Sequence, residues 1–177
     1  MGLSRDTCRA FGGESGMKVS AQEEYGLRCL LQLAHLRAGE FLTLAQIAER
    51  EGISVANAGK LLWILNKAGL VRSIRGTKGG YCLARPAAEI CLSEIIKVLD
   101  EDVLEGHCKS YTGLLDVCVH TGNCGIRPVI VSLHEIVQKA LSGITLAQLL
   151  GTEARVDETL HQIQGLTRLI AQPRKQA

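Results

Sequence analysis

The stretch that decides the fold is FLTLAQIAEREGISVANAGKLLWILNKAGL, residues 41–70. Thr43, followed by Gln46, forms a capping-box pattern that starts one helix, and Gly52 ends that helix. Ser54 caps a second helix, and the short glycine-containing turn between the two is typical of a helix-turn-helix. The apolar positions of the second helix are predicted to face a core: Val55, Ala58, Leu61, Leu62, Leu65 and Ala68.

The next stretch, VRSIRGTKGGYCLARP at residues 71–86, places two short alternating segments around a glycine-rich tip, which predicts a β-hairpin. A helix-turn-helix followed by a basic hairpin predicts a winged helix. In that arrangement a helix enters the major groove of DNA, and the hairpin reaches phosphates or a narrow minor groove. The alternative is that these polar and basic residues form only a solvated surface. The predicted DNA-binding residues are Ser54, Asn57, Lys60, Arg72, Arg75 and Lys78.

Apolar residues at helical spacing predict the remaining helices. One helix spans about 22–38, before the helix-turn-helix, and another spans about 93–99, after the wing. A long helix lies between Arg127 and Gly143, and its wide apolar stripe predicts pairing with a second copy of the chain across a two-fold axis. The alternative for this helix is that it folds back onto its own subunit. Residues 144–150, ITLAQLL, predict a short closing helix.

The composition supports a mainly α fold with a small β-hairpin wing, because aromatic residues make up only 3% of the chain and only three residues are proline. A net charge of +2 permits nucleic-acid binding without requiring it. No nucleophile–base pair or paired carboxylates stand out, so we do not expect an enzyme. The predicted organisation is a disordered leader at 1–16, a winged helix-turn-helix DNA-binding domain at 17–100, a cysteine loop at 101–125, a dimerisation helix with a closing helix at 126–150, and an amphipathic tail at 151–177.

The seven cysteines are an odd number, and the chain has neither a signal peptide nor an apolar run long enough to cross a membrane. These features predict a cytoplasmic protein without a membrane partner, whose thiols stay reduced. Three cysteines close together then indicate a metal site or a redox switch: Cys108, Cys118 and Cys124, in HCKSYTGLLDVCVHTGNC. Three others are expected to be small buried hydrophobic residues: Cys29, Cys82 and Cys91.

Over residues 17–150 the chain resembles the Rrf2 family of winged-helix regulators, typified by IscR and NsrR, which sense iron-sulfur status and nitric oxide. The resemblance is carried by MKVSAQEEYGLRCLLQLA, IAEREGIS, LNKAGLVRSIRGTKGGYCLARP and ITLAQLL. It implies homodimers that bind palindromic operators in double-stranded DNA, usually as repressors. It also implies an iron-sulfur cluster, [2Fe-2S] or [4Fe-4S], whose thiolate ligands match Cys108, Cys118 and Cys124.

The cysteine region departs from the family pattern. The family spacing is CxxxxxCxxxxxC, whereas nine residues separate Cys108 from Cys118 here. IscR-like members have a histidine ligand three positions after the last cysteine, where this chain has Arg127, which stays protonated and cannot bind a metal. Other members use a carboxylate from the first helix, and Glu24 holds the matching position. The resemblance therefore favours Glu24, from either subunit, as the fourth ligand, the alternative being an exposed surface carboxylate. Two loop histidines are less favoured: His107 and His120.

The recognition helix departs from the family pattern as well. The glutamate that IscR uses to discriminate operators corresponds to Gly59, so we expect a different operator. Asn57 is suited to pair with adenine, and Lys60 with guanine or phosphate. The leading hypothesis is a homodimeric DNA-binding transcription regulator whose operator affinity is controlled by an iron-sulfur cluster. The alternatives are a winged-helix regulator switched by thiol oxidation or zinc, and a protein-interaction module.

Overall fold

The computed structural model describes residues 19–76, 79–100, 118, 120 and 122–170, and in the last helix it describes no side chain from residue 163 onward. The predicted leader at 1–16 lies outside these residues. The described residues form helices around one antiparallel hairpin, which confirms the mainly α fold with a small wing. In chain order the elements are α1 (Ala21–Ala34), α2 (Leu44–Glu51), α3 (Val55–Lys67), β1 (Val71–Ile74), β2 (Gly80–Leu83), a 3-10 turn (Ala87–Glu89), α4 (Leu92–Leu99), α5 (Ile126–Ser142), a closing 3-10 helix (Leu146–Leu150) and α6 (Glu153–Ile170).

The first helix begins with a capping box and ends earlier than predicted. The N–H of Glu23 donates to the Ser20 hydroxyl at 3.2 Å, and the Glu23 carboxylate accepts the N–H of Ser20 at 2.7 Å. The predicted end at residue 38 is wrong, because α1 ends at Ala34. Beyond it the Glu40 carboxylate accepts the N–H of Arg37 at 2.9 Å, which stabilises a separate turn.

The helix-turn-helix forms through the predicted local signals. The Thr43 hydroxyl accepts the N–H of Gln46, and the Gln46 side chain accepts the N–H of Thr43, so the capping box of α2 is confirmed. Gly52 ends α2 with φ of 64°, a left-handed conformation that a glycine adopts without steric cost. The Ser54 hydroxyl then accepts the N–H of Asn57 at 3.1 Å and starts α3. These caps fix the turn that sets α3 against α2.

The core is apolar and is shared by the helices and the hairpin. On α3 the predicted inward positions Ala58, Leu61, Leu62 and Leu65 are buried. The prediction is wrong for two positions at the ends of α3, where few neighbouring side chains surround the helix: Val55 and Ala68 are exposed. The other large side chains that are fully buried come from the flanking elements: Leu30, Leu33, Ile47, Leu70, Val71, Ile90, Ile95, Leu99 and Leu146.

The wing is a short two-stranded ribbon attached to the helix-turn-helix. Val71 pairs with Leu83 at its base. A third short segment joins it, because Tyr81 donates its N–H to the Leu42 carbonyl at 2.8 Å and accepts the Leu42 N–H at 3.1 Å. The Asn66 side chain donates to the Val71 carbonyl at 3.1 Å and ties the end of α3 to β1. The hairpin is therefore held at its base by α3 and along β2 by the segment that leads into α2.

The chain closes back onto this core after α5. The N–H of Leu92 donates to the Ile144 carbonyl, and the N–H of Leu146 donates to the Ile90 carbonyl, both at 2.8 Å. These bonds flank a bridge between Cys91 and Thr145. Ile144 and Leu146 are buried in the same core as the helix-turn-helix. The closing 3-10 helix therefore packs with the helix-turn-helix.

The end of α4 lies directly against the start of α1. A Cβ placed on Gly26 would lie 2.5 Å from a methyl carbon of Leu99, so only glycine allows this approach without displacement. The Gln22 amide also donates to the Leu99 carbonyl at 2.7 Å. Because Leu99 is the last residue of α4, this contact holds the end of α4 against α1.

Candidate nucleic-acid interface and cysteine site

The recognition helix α3 presents a basic face to solvent. Its buried residues occupy one side, and Asn57, Lys60 and Lys67 are exposed. Of the other predicted DNA-binding residues, Ser54 is exposed, but its hydroxyl already caps α3. Helix α3 contains no acidic residue, so its exposed charge is entirely positive. This face has the electrostatics that a phosphate backbone requires.

The wing adds exposed cations next to α3. Arg72 and Arg75 are both exposed, and the Arg72 guanidinium donates to the Cys82 sulfur at 3.6 Å. Lys78, also predicted to bind DNA, lies outside the described residues, as does its neighbour Thr77. The arginines sit on and just beyond a strand whose partner is fixed by the hairpin register, so their positions relative to α3 are set by the fold.

The sequence prediction did not include Trp63, which lies on the outward side of α3 with 61% of its surface exposed. The Lys67 ammonium lies 5.2 Å from the centroid of the Trp63 ring, within the range of a cation–π contact. An apolar residue inside a helix is ordinarily assigned to the core. Trp63 is identified by its position around the helix axis, which is opposite the buried positions of α3.

Two of the three loop cysteines are described, and both are half-buried. Cys124 lies two residues before Ile126, where α5 begins, and no side chain caps that helix. Hydrogen bonds from the backbone N–H groups of Arg127 and then Ile126 lower the pKa of the Cys124 thiol below its ordinary value, and the Arg127 charge adds to the effect. The first turn of α5 therefore favours a thiolate at Cys124.

The complete predicted ligand set is not brought together within the described residues. Among residues 19–76, 79–100, 118, 120 and 122–170, no three His, Cys, Asp or Glu side chains are grouped closely enough to hold a metal ion. Cys108 and His107 lie outside that set. His120 is exposed and its carbonyl accepts the N–H of Asn123 in a turn. The three-cysteine site therefore stays a prediction.

Glu24, the predicted fourth ligand, lies in the first turn of α1. Its carboxylate accepts from the Arg28 guanidinium at 2.6 Å, one helical turn away, and the side chains are 49% and 52% exposed respectively. Exposed pairs of this kind are worth only about 0.3–0.5 kcal/mol, so this contact does not prevent the carboxylate from binding a metal.

The other cysteines differ in their surroundings. Cys29 is fully buried, and desolvation together with the nearby Glu51 charge raises the pKa of its thiol to about 12. The prediction that Cys29 is a small buried hydrophobic residue is confirmed. The same prediction is wrong for Cys82 and Cys91, which are only half-buried, because one lies on the wing and the other precedes α4.

Helix α5 has one face against its own subunit and another with no cover from the described residues. It packs against α4, and Leu141 contacts the core. A separate row of large apolar side chains recurs every three or four residues, and more than 60% of each is exposed. We call this row the α5 ridge: Ile126 (67%), Val129 (67%), Leu133 (61%) and Ile136 (64%).

The comparisons with known proteins agree with this architecture. The family model described as Rrf2, an iron-dependent transcriptional regulator, matches residues 19–152. The chain belongs to the Rrf2 family. The HTH-type transcriptional regulator IscR of Serratia proteamaculans (strain 568) is 33% identical over 138 residues, which are 77% of this chain and 81% of the relative.

Solved structures of Rrf2-type regulators show the same fold. T. potens IscR superposes with a TM-score of 0.59 at 33% identity and covers 78% of this chain and 89% of its own. The oxidized form of Staphylococcus aureus CymR superposes with a TM-score of 0.57 at 29% identity, over 76% of this chain and 96% of its own. The predicted family and winged-helix fold are confirmed, and this Rrf2 protein is a DNA-binding transcription regulator and not an enzyme. Among the described residues, no helix has the length and apolarity needed to cross a membrane.

Proposed function

We propose that this Rrf2 protein is a cytoplasmic homodimeric repressor that binds a palindromic operator and whose operator affinity is controlled by an iron-sulfur cluster. The proposed ligands are Cys108, Cys118, Cys124 and Glu24. The observation that carries the proposal is the position of Cys124, whose sulfur is stabilised as a thiolate by the first turn of α5, which lowers its pKa. A cysteine ligand must be deprotonated before it binds iron, and this site favours that form.

The donor chemistry fits an iron-sulfur cluster. Thiolates are the soft ligands that such clusters prefer, and a single carboxylate ligand would make the cluster easier to lose or modify. Such a cluster supplies one-electron redox chemistry and a target for oxidants. The residues of the chain itself would hold it at the N-terminus of α5, so its binding would fix the position of that helix start.

The ends of the cysteine loop connect the two functions. At one end, Leu99 contacts Gly26 and Gln22 of α1, which belongs to the DNA-reading core. At the other end, Cys124 leads directly into α5, which carries the α5 ridge. A change at the cysteine site would therefore act on both parts. Tenfold control of DNA binding requires a difference of only about 1.4 kcal/mol between the two forms, which is within ordinary allosteric coupling.

The α5 ridge supports the homodimer. Four large apolar side chains on one face of a helix are unfavourable in water, and their spacing suits a matching helix packed across a two-fold axis. Replacing Leu133 with Glu should convert the dimer to monomer in light scattering after gel filtration. Val131→Glu is the matched control, because Val131 is an exposed apolar residue on the opposite side of the same helix. A Leu133→Glu protein that stays dimeric would count against this interface.

The cluster is tested by anaerobic purification, absorbance spectroscopy and determination of iron and sulfide. The wild type should be coloured and contain both elements, whereas Cys124→Ser should lose them. Cys91→Ser is the matched control: Cys91 is also half-buried but occupies the N-cap of α4, where serine is a favourable residue. A colourless, iron-free wild type that still binds its operator would refute the cluster.

Glu24 is tested separately from its ion pair. Glu24→Gln should release iron faster than the wild type on exposure to air, because the amide is a poorer ligand than the carboxylate. Arg28→Gln removes the ion pair but leaves the carboxylate, and it should retain the cluster. Equal rates of iron loss in both variants would mean that Glu24 acts through its ion pair with Arg28, which stabilises α1, and not as a ligand.

A thiol switch is the second candidate, and the lowered pKa of Cys124 favours it, since thiolates oxidise more readily than thiols. In that case the purified protein would lack iron, and its operator affinity would fall on peroxide treatment and recover with a reducing agent. Zinc would be found instead of iron if the cysteines form a structural metal site. The metal determination above therefore separates all three possibilities.

A further inference from the structure

The outward face of α3 carries a tryptophan between two lysines. Ala56, Lys60, Trp63 and Lys67 follow one another at spacings of four, three and four residues, so they form a straight row along the helix. This row lies opposite the buried positions of the same helix. Trp63 is the largest side chain in the row, and its 61% exposure leaves most of the indole uncovered.

The surroundings of Trp63 combine an apolar surface with positive charge. Lys67 holds its ammonium 5.2 Å from the ring centroid. Trp63 and Val98 line a groove of about 460 Å³ between α3 and the end of α4, and its lining also includes Lys60 and one acidic residue, Asp100. Because α3 itself has no acidic residue, the charge along the row is positive.

We propose that Trp63 is a DNA-contact residue of the recognition helix. Its indole would pack against the apolar edges of nucleotides in the major groove, and Lys67, beside the ring, would bind an adjacent phosphate. An indole offers a large contact area with few rotatable bonds, and its N–H is a hydrogen-bond donor for a phosphate oxygen. Apolar contacts of this kind discriminate thymine by its methyl group. The inference rests on the DNA-binding function of the family and extends it to a residue that the helix-turn-helix pattern does not identify.

A second copy of the chain is the competing occupant of this surface. Charge complementarity favours DNA, because Lys60 and Lys67 flank the ring on its own helix and the exposed Arg72 and Arg75 follow directly in the wing. The α5 ridge, by contrast, offers an apolar surface for a second copy at a different place in the chain.

The test uses the full-length dimer and its own fluorescence, because Trp63 is the single tryptophan of the chain. A duplex is first selected from random-sequence DNA by the wild-type protein. Adding this duplex to unlabelled wild type should change the Trp63 emission and reduce its quenching by acrylamide. In anisotropy titrations with labelled duplex, Trp63→Ala should bind about tenfold more weakly, which corresponds to about 1.4 kcal/mol, whereas Trp63→Phe should stay within about threefold of wild type. Circular dichroism verifies that both variants are folded.

The Lys67 contact has its own readout. Lys67→Gln should reduce the magnitude of the negative slope of log affinity against log salt concentration by about one, as expected for one lost phosphate contact. Lys139→Gln removes one exposed lysine from α5 and should leave the slope unchanged. A smaller slope for Lys67→Gln than for Lys139→Gln would support the phosphate contact of Lys67, and equal slopes for the two variants would contradict it.

Two results would overturn the inference while leaving DNA binding intact. One is unchanged Trp63 quenching in the complex together with wild-type affinity of Trp63→Ala. The other is a change in quenching when the DNA-free protein is diluted, since this would show that a second copy covers the ring. Failure of the wild type to enrich or bind any duplex would instead contradict the family function itself.

Discussion

Replacing Gly26 with Ala should destabilise the protein, although alanine is the better helix former. The added Cβ would lie 2.5 and 2.6 Å from the two methyl carbons of Leu99, where ordinary contacts begin at 3.4 Å. Leu99 is fully buried at the end of α4 and its carbonyl is held by Gln22, so its side chain has little room to move away.

The expected size follows from two opposing terms. Overpacking of a core by one methyl group costs about 1–3 kcal/mol, while glycine to alanine inside a helix gains about 1 kcal/mol. The net loss should be about 1 kcal/mol. With a urea dependence of about 2 kcal/mol per molar, the unfolding midpoint falls by about 0.5 M. The melting temperature should fall by about 3 °C.

Gly59→Ala is the matched control, because it is the same substitution in a helix without the same crowding. A Cβ on Gly59 would meet its nearest atom, a Leu44 methyl carbon, at 3.7 Å, which is an ordinary contact. This variant should gain up to about 1 kcal/mol, so the two alanine variants should move in opposite directions. Urea unfolding is followed by circular dichroism at one protein concentration, since the stability of the proposed dimer would depend on concentration.

The contact is also tested by a double-mutant cycle. In a Leu99→Ala background the methyl group added at position 26 has space, so Gly26→Ala should then be neutral or stabilising. The reasoning is refuted if Gly26→Ala is as stable as Gly59→Ala, or if its effect is the same in both backgrounds.

Three further predictions concern thiols and charge. Burial raises the pKa of Cys29 to about 12, so the unfolded chain ionises first, and stability should fall as pH rises from 9.0 toward about 12. The fall in urea midpoint across that range should be smaller in Cys29→Ala, which lacks this thiol. The lowered pKa of Cys124 should make it react with iodoacetamide at a lower pH than free cysteine does, as measured by mass spectrometry on reduced, metal-free protein; a pH profile equal to that of free cysteine would contradict the helix effect. Arg75→Gln in the exposed wing should reduce the salt dependence of operator binding by about one unit of slope, and an unchanged slope would exclude its phosphate contact.

Local signals in the sequence were sufficient for the helix-turn-helix and the wing. The two residues of a capping box are only three positions apart, and the left-handed conformation of Gly52 depends on that residue alone. Both features can therefore be predicted from the local sequence. The end of α1 was predicted wrongly because the apolar pattern continues past Ala34, while a hydrogen bond between Arg37 and Glu40 forms a separate turn.

Features that depend on distant parts of the chain were not predictable in the same way. The pairing of Cys91 with Thr145 joins two segments that carry no local sign of each other. Trp63 was not predicted to be a surface residue because apolar residues in a helix usually face the core, and only its position around the helix relative to the buried residues distinguishes it. For the cysteine site, the sequence supplied Cys118 and Cys124, and the structure added the effect of the α5 backbone on the pKa of the second of them. Cys108 lies outside the described residues, so the grouping of the three thiols rests on the sequence alone.

The bridge between Cys91 and Thr145 also bears on how this protein could change during evolution. It joins the start of α4 to the segment that follows α5. Because Leu99 at the end of α4 packs against Gly26, the excursion from Leu99 to Thr145, which contains the cysteine loop and α5, is held to the core at both ends. Because the entropy of closing a loop grows only with the logarithm of its length, four extra residues in such an excursion cost about 0.1 kcal/mol. The interval of nine residues between Cys108 and Cys118 therefore changes the free energy of folding very little compared with a shorter interval. Insertions and deletions there would leave the DNA-reading core in place, so segments of different length could be exchanged at this point on the same scaffold.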